Sequence, residues 1–207
     1  FVISFYWDIS IGHHHNHRNG FLLGNQRNLQ PDLLGFLRAF TRHGRLQEIP
    51  EQVMVACHCC LPGGIIFSTQ AQIDSFQIVY PDCWYIEGNV SIFGYNNISN
   101  LNGLNGIVKI EGNLEIKYNN NILHLTGLEN LTTIWGSLIV EENEILSEFT
   151  GLDNLTNISE ILSIDGNENL ITLTGLDNIN QYSIYYLHIA NNPLLSTCDV
   201  KSICEFL

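Results

Sequence analysis

Between positions 86 and 195 the chain repeats itself with a period of 24 residues, which limits its fold more than any other feature. Gly-Leu recurs at Gly103-Leu104, Gly127-Leu128, Gly151-Leu152 and Gly175-Leu176. Apolar columns that start at Ile86, Val90, Ile92, Ile98, Leu101 and Ile107 keep the same step through Ile110, Leu114, Ile116, Ile122, Leu125 and Leu131 and beyond. A further, imperfect copy follows a one-residue insertion, with Leu187, Ile189, Asn192 and Leu195 in register. A single unit of this length buries too little apolar surface to offset the entropy of ordering it, so stability has to come from units stacked on one another.

Within a copy, Ile110-Glu-Gly-Asn-Leu114-Glu-Ile116 alternates with the period of a half-buried strand. Ile110, Leu114 and Ile116 are assigned inward; Glu111, Asn113 and Glu115 point out. Gly112 and its equivalents Gly88 and Gly136 take an inward slot, where a side chain would crowd the core or the strand bends. The fourth copy carries Glu160 there, a departure without an account in the sequence. An asparagine follows the strand at Asn119, Asn143, Asn167 and Asn192. A buried carboxamide at that place bonds the turn's free backbone groups, and stacked turns make a structural ladder. The predicted fold is mainly β: a parallel β-solenoid of about five 24-residue rungs on one continuous sheet, with an N-terminal cap helix and a short C-terminal cap.

The ends of such an array need covering. Thr69 and Gln72 have capping-box spacing, Ile73, Phe76 and Tyr80 share a face, and Pro81 stops a helix, so a helix is predicted over 69–80. Cys60 and Cys83 bracket it, and Cys198 and Cys204 bracket a short helical pattern from Asp199 to Glu205. Cysteines that flank an array and avoid its interior read as staples on its ends, and point to an oxidising compartment. Cys57 and Cys59 stay open as free, paired or metal-bound thiols. The expected division is an unassigned segment 1–59, then an N-cap over 60–85, rungs over 86–195 and a truncated C-cap over 196–207. The chain starts at Phe1 and its one methionine is Met54, so it reads as a fragment or a processed chain in which no signal peptide is visible.

The formal net charge of −13 is unevenly placed. Residues 60–207 hold three lysines, Lys109, Lys117 and Lys201, against seventeen acids. That part repels phosphates and anionic membrane surfaces, and no apolar run approaches the length of a membrane span. Neither a nucleic-acid partner nor membrane insertion is expected.

The pattern Ile-x-Gly-x-Leu-x-Ile, then Asn, then Leu-x-Gly-Leu-x-x-Leu resembles the receptor L-domain group, a branch of the leucine-rich repeat superfamily. The opening from Cys60 through Leu61-Pro-Gly-Gly-Ile-Ile-Phe-Ser-Thr-Gln-Ala-Gln-Ile-Asp74, with Cys83 before the first rung, is similar to the cap of L-domain-like proteins of marine Bacteroidetes, which look secreted or surface-borne. The resemblance covers residues 60–207. It implies a right-handed parallel β-solenoid that binds something, in an extracellular or cell-surface setting, and it carries over no catalytic residue. Residues 1–59 do not share it. They are an appendage or an unrelated stretch joined upstream, and Leu33, Phe36, Leu37 and Phe40 have the spacing of a short basic helix over 33–43.

Candidate chemistry is sparse. His13, His14, His15 and His17 are clustered imidazoles in a stretch rich in Gly, Asn and Arg, and read as a solvated run. Cys57, His58, Cys59 and Cys60 lack a second ligand pair at zinc spacing. No metal and no cofactor are expected. A hydrolase needs a nucleophile beside a base, and the array holds only His124 and His188, at positions other rungs fill with unrelated residues. Carboxylates are plentiful enough for a glycosidase pair, but enzymes that cleave acidic polysaccharides on such folds need more cations than Lys109 and Lys117 supply. The stronger clue is the outward face, with Phe93, Trp135, Ile139, Ile161 and Tyr186 among its residues. Trp135, Ile139 and Ile161 on neighbouring rungs are expected to form one exposed apolar patch that binds a protein or a glycan. The expected function is non-enzymatic binding or adhesion, with a structural stalk and a polysaccharide-active enzyme as alternatives. Asn-x-Ser/Thr sequons stand at Asn89, Asn97, Asn130, Asn154 and Asn157, and repeat copying accounts for Asn130 and Asn154.

Overall fold

A computed structural model describes residues 38–40, 46–48, 59–196 and 200–204. The chain divides into two compact units, Phe1–Cys57 and His58–Leu207. In the first, β1 (Arg38–Phe40) pairs antiparallel with β2 (Leu46–Glu48), with Phe40 opposite Leu46. A strand therefore stands where the sequence predicts part of a helix over 33–43. Four apolar residues at helical spacing are a weak local signal, and pairing with a nearby segment overrides it. The histidine run lies outside the described residues.

In the second unit the chain forms β3 (Cys59–Cys60), β4 (Ile65–Phe67), α1 (Gln70–Val79), β5 (Tyr85–Ile86), β6 (Val90–Ile92), β7 (Lys109–Ile110) and β8 (Leu114–Lys117). It continues through β9 (Thr133–Ile134), β10 (Leu138–Glu141), β11 (Asn157–Ile158), β12 (Ile161–Asp165), β13 (Tyr186–Ala190) and α2 (Lys201–Cys204). One sheet has six strands in the order β4-β6-β8-β10-β12-β13, and the other has five in the order β3-β5-β7-β9-β11. Every pair in both is parallel. Leu114, Leu138 and Leu162 stand level across β8, β10 and β12, so each apolar column becomes a buried row.

This arrangement corrects the expectation of a mainly-β, right-handed solenoid of about five rungs on one continuous sheet. Two all-parallel sheets are present, α1 lies in the chain between β4 of one and β5 of the other, and the layout is α/β-like. The segment read as one strand is where the sheets part. Ile110 ends β7 and Leu114 begins β8. In the bend between such strands, Asn113 N donates to Asn89 Oδ1 and Ser137 N donates to Asn113 Oδ1, both at 2.8 Å, and Ile161 N donates to Ser137 Oγ at 3.3 Å. Side-chain oxygens there take amides that would otherwise bond strand carbonyls.

The same bend accounts for the glycines. A Cβ on Gly112 would run into Asn89 Oδ1, and one on Gly136 into Asn113 Oδ1. Of the two reasons expected for these glycines, the strand bend is the one found, and a Cβ at Gly112 or Gly136 would meet the asparagine oxygen and backbone of the preceding unit. Glu160 now has its reason. The unit before it carries the shorter Ser137 in place of asparagine, and Ser137 Oγ donates to Glu160 Oε2 at 3.2 Å. A second glycine column, Gly127, Gly151 and Gly175, adopts φ of 112°, 109° and 104° with its α-hydrogens against the carbonyls of Leu101, Leu125 and Phe149.

Helix α1 covers the start of the array. Thr69 and Gln72 form a reciprocal capping box, Ile73 and Phe76 are buried, and Phe76 meets Phe67 edge-on at 5.5 Å between ring centroids. Cys60 and Cys83 are disulfide-bonded across the helix, with Cα atoms 5.6 Å apart. At the other end Val200 and Ile203 are buried on α2, and Cys204 is disulfide-bonded. Its expected partner, Cys198, lies outside the described residues.

The Ser137–Glu160 exchange makes a testable pair. Ser137→Asn places a longer side chain against Glu160 and is expected to lower stability by about 1–3 kcal/mol. Ser137→Asn with Glu160→Gly restores the motif of the other units and is expected to recover most of that loss, read from urea midpoints in a double-mutant cycle.

Candidate functional site

The outward faces rest on a buried scaffold of four asparagines. Asn119, Asn143, Asn167 and Asn192 are all buried. Asn143 Nδ2 donates to the carbonyls of Ile116 (2.8 Å) and Glu141 (3.1 Å) and to Asn167 Oδ1 (3.2 Å), while Asn143 N donates to the same Asn167 oxygen at 3.1 Å. Asn119 and Asn167 repeat this set one unit before and after, and Asn192 donates to Ile164 and Ala190. At the leading end Gly94 N donates to Asn119 Oδ1 at 2.9 Å. The residue before each asparagine is left-handed: Tyr118, Glu142, Gly166 and Asn191 have φ of 54°, 54°, 67° and 52°. That turn swings the carboxamide into the core, and the bonds it makes hold the unfavourable backbone in place.

Trp135, Ile139 and Ile161, expected side by side on one sheet, are divided between the two sheets. Ile139 lies mid-strand on β10, and Ile161 pairs with Tyr186 at the start of β12 and β13, so these three belong to the six-stranded sheet. Trp135 follows β9 of the five-stranded sheet, where its amide donates to Ile110 O at 2.9 Å. Its ring meets Tyr85 edge-on at 5.7 Å, and Tyr85 lies 6.1 Å from Trp84. Phe93 sits at the far end of β6 in a separate trio with Tyr95 (4.9 Å) and Tyr118 (5.7 Å), all three exposed. Alternation gives inward and outward but not which sheet a residue joins.

Tyr85 Oη donates to Glu111 Oε2 at 2.6 Å. Burial, the hydrogen bond to Glu111 and the charges of Glu111 and Glu87 push its phenol up to about 12 from an ordinary 10.0. The polar groups of the six-stranded face are engaged with one another. Lys117 pairs with Glu141 at 3.1 Å, Ser163 Oγ donates to Glu141 Oε1 at 3.1 Å, and Ser91 Oγ donates to Glu115 Oε2 at 3.3 Å.

Ser163, His188 and Asp165 are neighbours on β12 and β13, the nearest approach to a hydrolytic triad. Their bonds run the wrong way for one. Ser163 Oγ donates to Glu141, and His188 Nε2 faces Asp165 Oδ2 at 3.5 Å, so the histidine does not receive the serine proton. His124 Nδ1 stands 3.4 Å from Glu148 Oε1. An open hollow of about 620 Å³ is lined by Glu142, Gly166, Glu168, Asn191, Asn192 and Pro193. Among the described residues no group of three or more His, Cys, Asp or Glu side chains could hold a metal ion, and no helix is long and apolar enough to cross a membrane. The cluster at Cys57, His58 and Cys59 lies outside the described side chains. Of the sequon residues, Asn130 and Asn154 donate their amides at 2.7 and 2.8 Å to carbonyls of the preceding unit, Asn105 and Glu129.

No family model, curated protein or solved structure matches this chain. Trp84, Tyr85, Tyr95 and Tyr118 were not among the candidate residues read from the sequence. The signal for Tyr85 is present there: it stands where other units carry the polar Lys109, Thr133 and Asn157.

Asn143→Ala is expected to cost about 2–4 kcal/mol, because it removes the acceptor of the buried Asn119 amide and the donor to the carbonyls of Ile116 and Glu141. Asn192→Ala, at the end of the column, is expected to cost less, both read by urea denaturation. Tyr85 favours its protonated form in the folded state. Its contribution is complete below pH 10.0 and is lost as pH rises toward about 12, so wild type is expected to lose stability relative to Tyr85→Phe across that window.

Proposed function

We propose that the second unit is a non-catalytic binding module of a secreted or cell-surface protein, holding a protein or glycan ligand against the outward faces of its sheets. One observation carries the reading: two groups of aromatic rings, Phe93 with Tyr95 and Tyr118, and Trp135 with Trp84 and Tyr85, stay at the surface while every repeat column beneath them is buried. Aromatic side chains left in solvent on a stiff frame are the usual anchors of recognition. The Cys60–Cys83 bond supports an oxidising setting. The repeat motif supports kinship with the receptor L-domain group, and the divergent bonds of Ser163, His188 and Asp165 support binding without chemistry.

The test is a binding screen of the whole chain against immobilised neutral oligosaccharides and against acidic, neutral and basic peptides. Wild type is expected to retain at least one class, and Phe93→Ala with Trp135→Ala to lose it by tenfold or more with an unchanged thermal midpoint. Retention of no class, or equal retention by the double variant, would leave the chain as a structural spacer.

A further inference from the structure

We propose that Trp84, Tyr85 and Trp135, with Glu87 and Glu111 beside them, form a recognition site for an arginine or lysine side chain in a basic segment of a partner protein. The inference rests on the binding-module reading and names the partner. Trp84 and Trp135 are 38% and 46% exposed, and their rings lie 6.1 and 5.7 Å from that of Tyr85. Their planes differ from that of Tyr85 by 35° and 74°, so the three rings present faces at an angle to one another rather than a flat platform. A cation over such faces is attracted by the ring quadrupoles, most strongly by tryptophan. The carboxylates stand where that cation would need them. Glu111 N donates to Ile86 O and Trp135 N to Ile110 O, so backbone pairing continues beyond the strands and sets Glu87, Glu111 and Trp135 level across three units. Tyr85 uses one Glu111 oxygen, Oε2. A carboxylate has lone pairs to spare beyond that bond, and a guanidinium fits both a ring face and a carboxylate.

Charge decides the sign of the partner. Residues 60–207 carry seventeen acids and three lysines. Lys117 is paired with Glu141 on the other sheet, and among the described side chains Lys109 is the cation in this face, level with Tyr85 and Thr133. An anionic ligand meets Glu87 and Glu111 first. A basic segment is drawn in by the surrounding field and opposed locally by Lys109.

The experiment titrates the whole chain with a tetra-arginine peptide, followed by tryptophan fluorescence and calorimetry, with choline and a neutral glucan oligosaccharide as separate arms. Peptide binding is expected. Trp135→Ala and Glu111→Gln are each expected to weaken it by fivefold or more, Trp135→Phe to weaken it less, and Glu144→Gln, remote from the rings, to leave it unchanged. Lys109→Gln is expected to tighten it two- to fivefold, a gain that misfolding does not produce. No peptide binding overturns the proposal, as does binding lost equally through Glu144→Gln and Glu111→Gln, which is attraction to acidity at large. Choline or glucan bound in preference to the peptide, with Trp135→Ala abolishing it, overturns the basic partner while preserving the binding module. Silence in this titration and in the array screen together removes both.

Discussion

Asn119, Asn143, Asn167 and Asn192 place amides where no water reaches, and each makes its bonds partly within its own turn and partly to the units beside it. A carboxamide has two donor hydrogens and an oxygen with two lone pairs, and Asn143 uses all of them. The geometry closes only if the next asparagine is one repeat away. An insertion in a unit has to be absorbed outside the turn, as happens before Asn192, where the step is 25 residues and the bond to Asn167 N survives at 3.0 Å. The column thereby sets the register of the six-stranded sheet, and the outward side chains inherit their positions from it.

A second and weaker column divides the sheets. Asn89, Asn113 and Ser137 hand side-chain oxygens to the amides of the following unit, at the bend between each short strand and the longer one after it. It needs glycine in the next unit only while asparagine precedes it. Such local covariation lets a repeat drift without losing the frame, and it lets Ser137 and Glu160 depart together.

The period, the inward columns and the capping box were legible because each depends on near neighbours in the chain or on simple repetition. Ile73 and Phe76 are buried on α1, and Leu114, Ile116 and Ile122 are fully buried, for that reason. The division into two sheets was not legible. Ile110 through Ile116 alternates as a single strand would, and only the bond from Asn113 N to a side chain in the previous unit shows the break. The same blindness placed Trp135 on one sheet with Ile139 and Ile161. It also hid Tyr85, whose importance comes from a carboxylate 26 residues away and a ring 50 residues away in the chain. The helix expected over 33–43 failed for the companion reason, since a short apolar period cannot register a strand partner at Leu46–Glu48.

The two outward faces differ in what they have left to offer a ligand. On the six-stranded sheet the strands run to five residues, and polar side chains stand opposite partners of complementary kind: Lys117 meets Glu141, Ser163 meets Glu141, Asn191 donates to Asp165 at 2.8 Å. Cross-strand pairs of this sort stabilise the sheet modestly and leave few groups whose bonding improves when something docks. On the five-stranded sheet the strands are two residues long, and Tyr85 with Glu111 is the pair that spans them. Around it stand two tryptophans and a further carboxylate, Glu87, on a backbone fixed by parallel bonds on both sides. Rings held at an angle by a frame that cannot collapse onto them lose little entropy on binding, and the field around them is negative. The shorter strands thus make the poorer sheet, and the proposed recognition site stands on it.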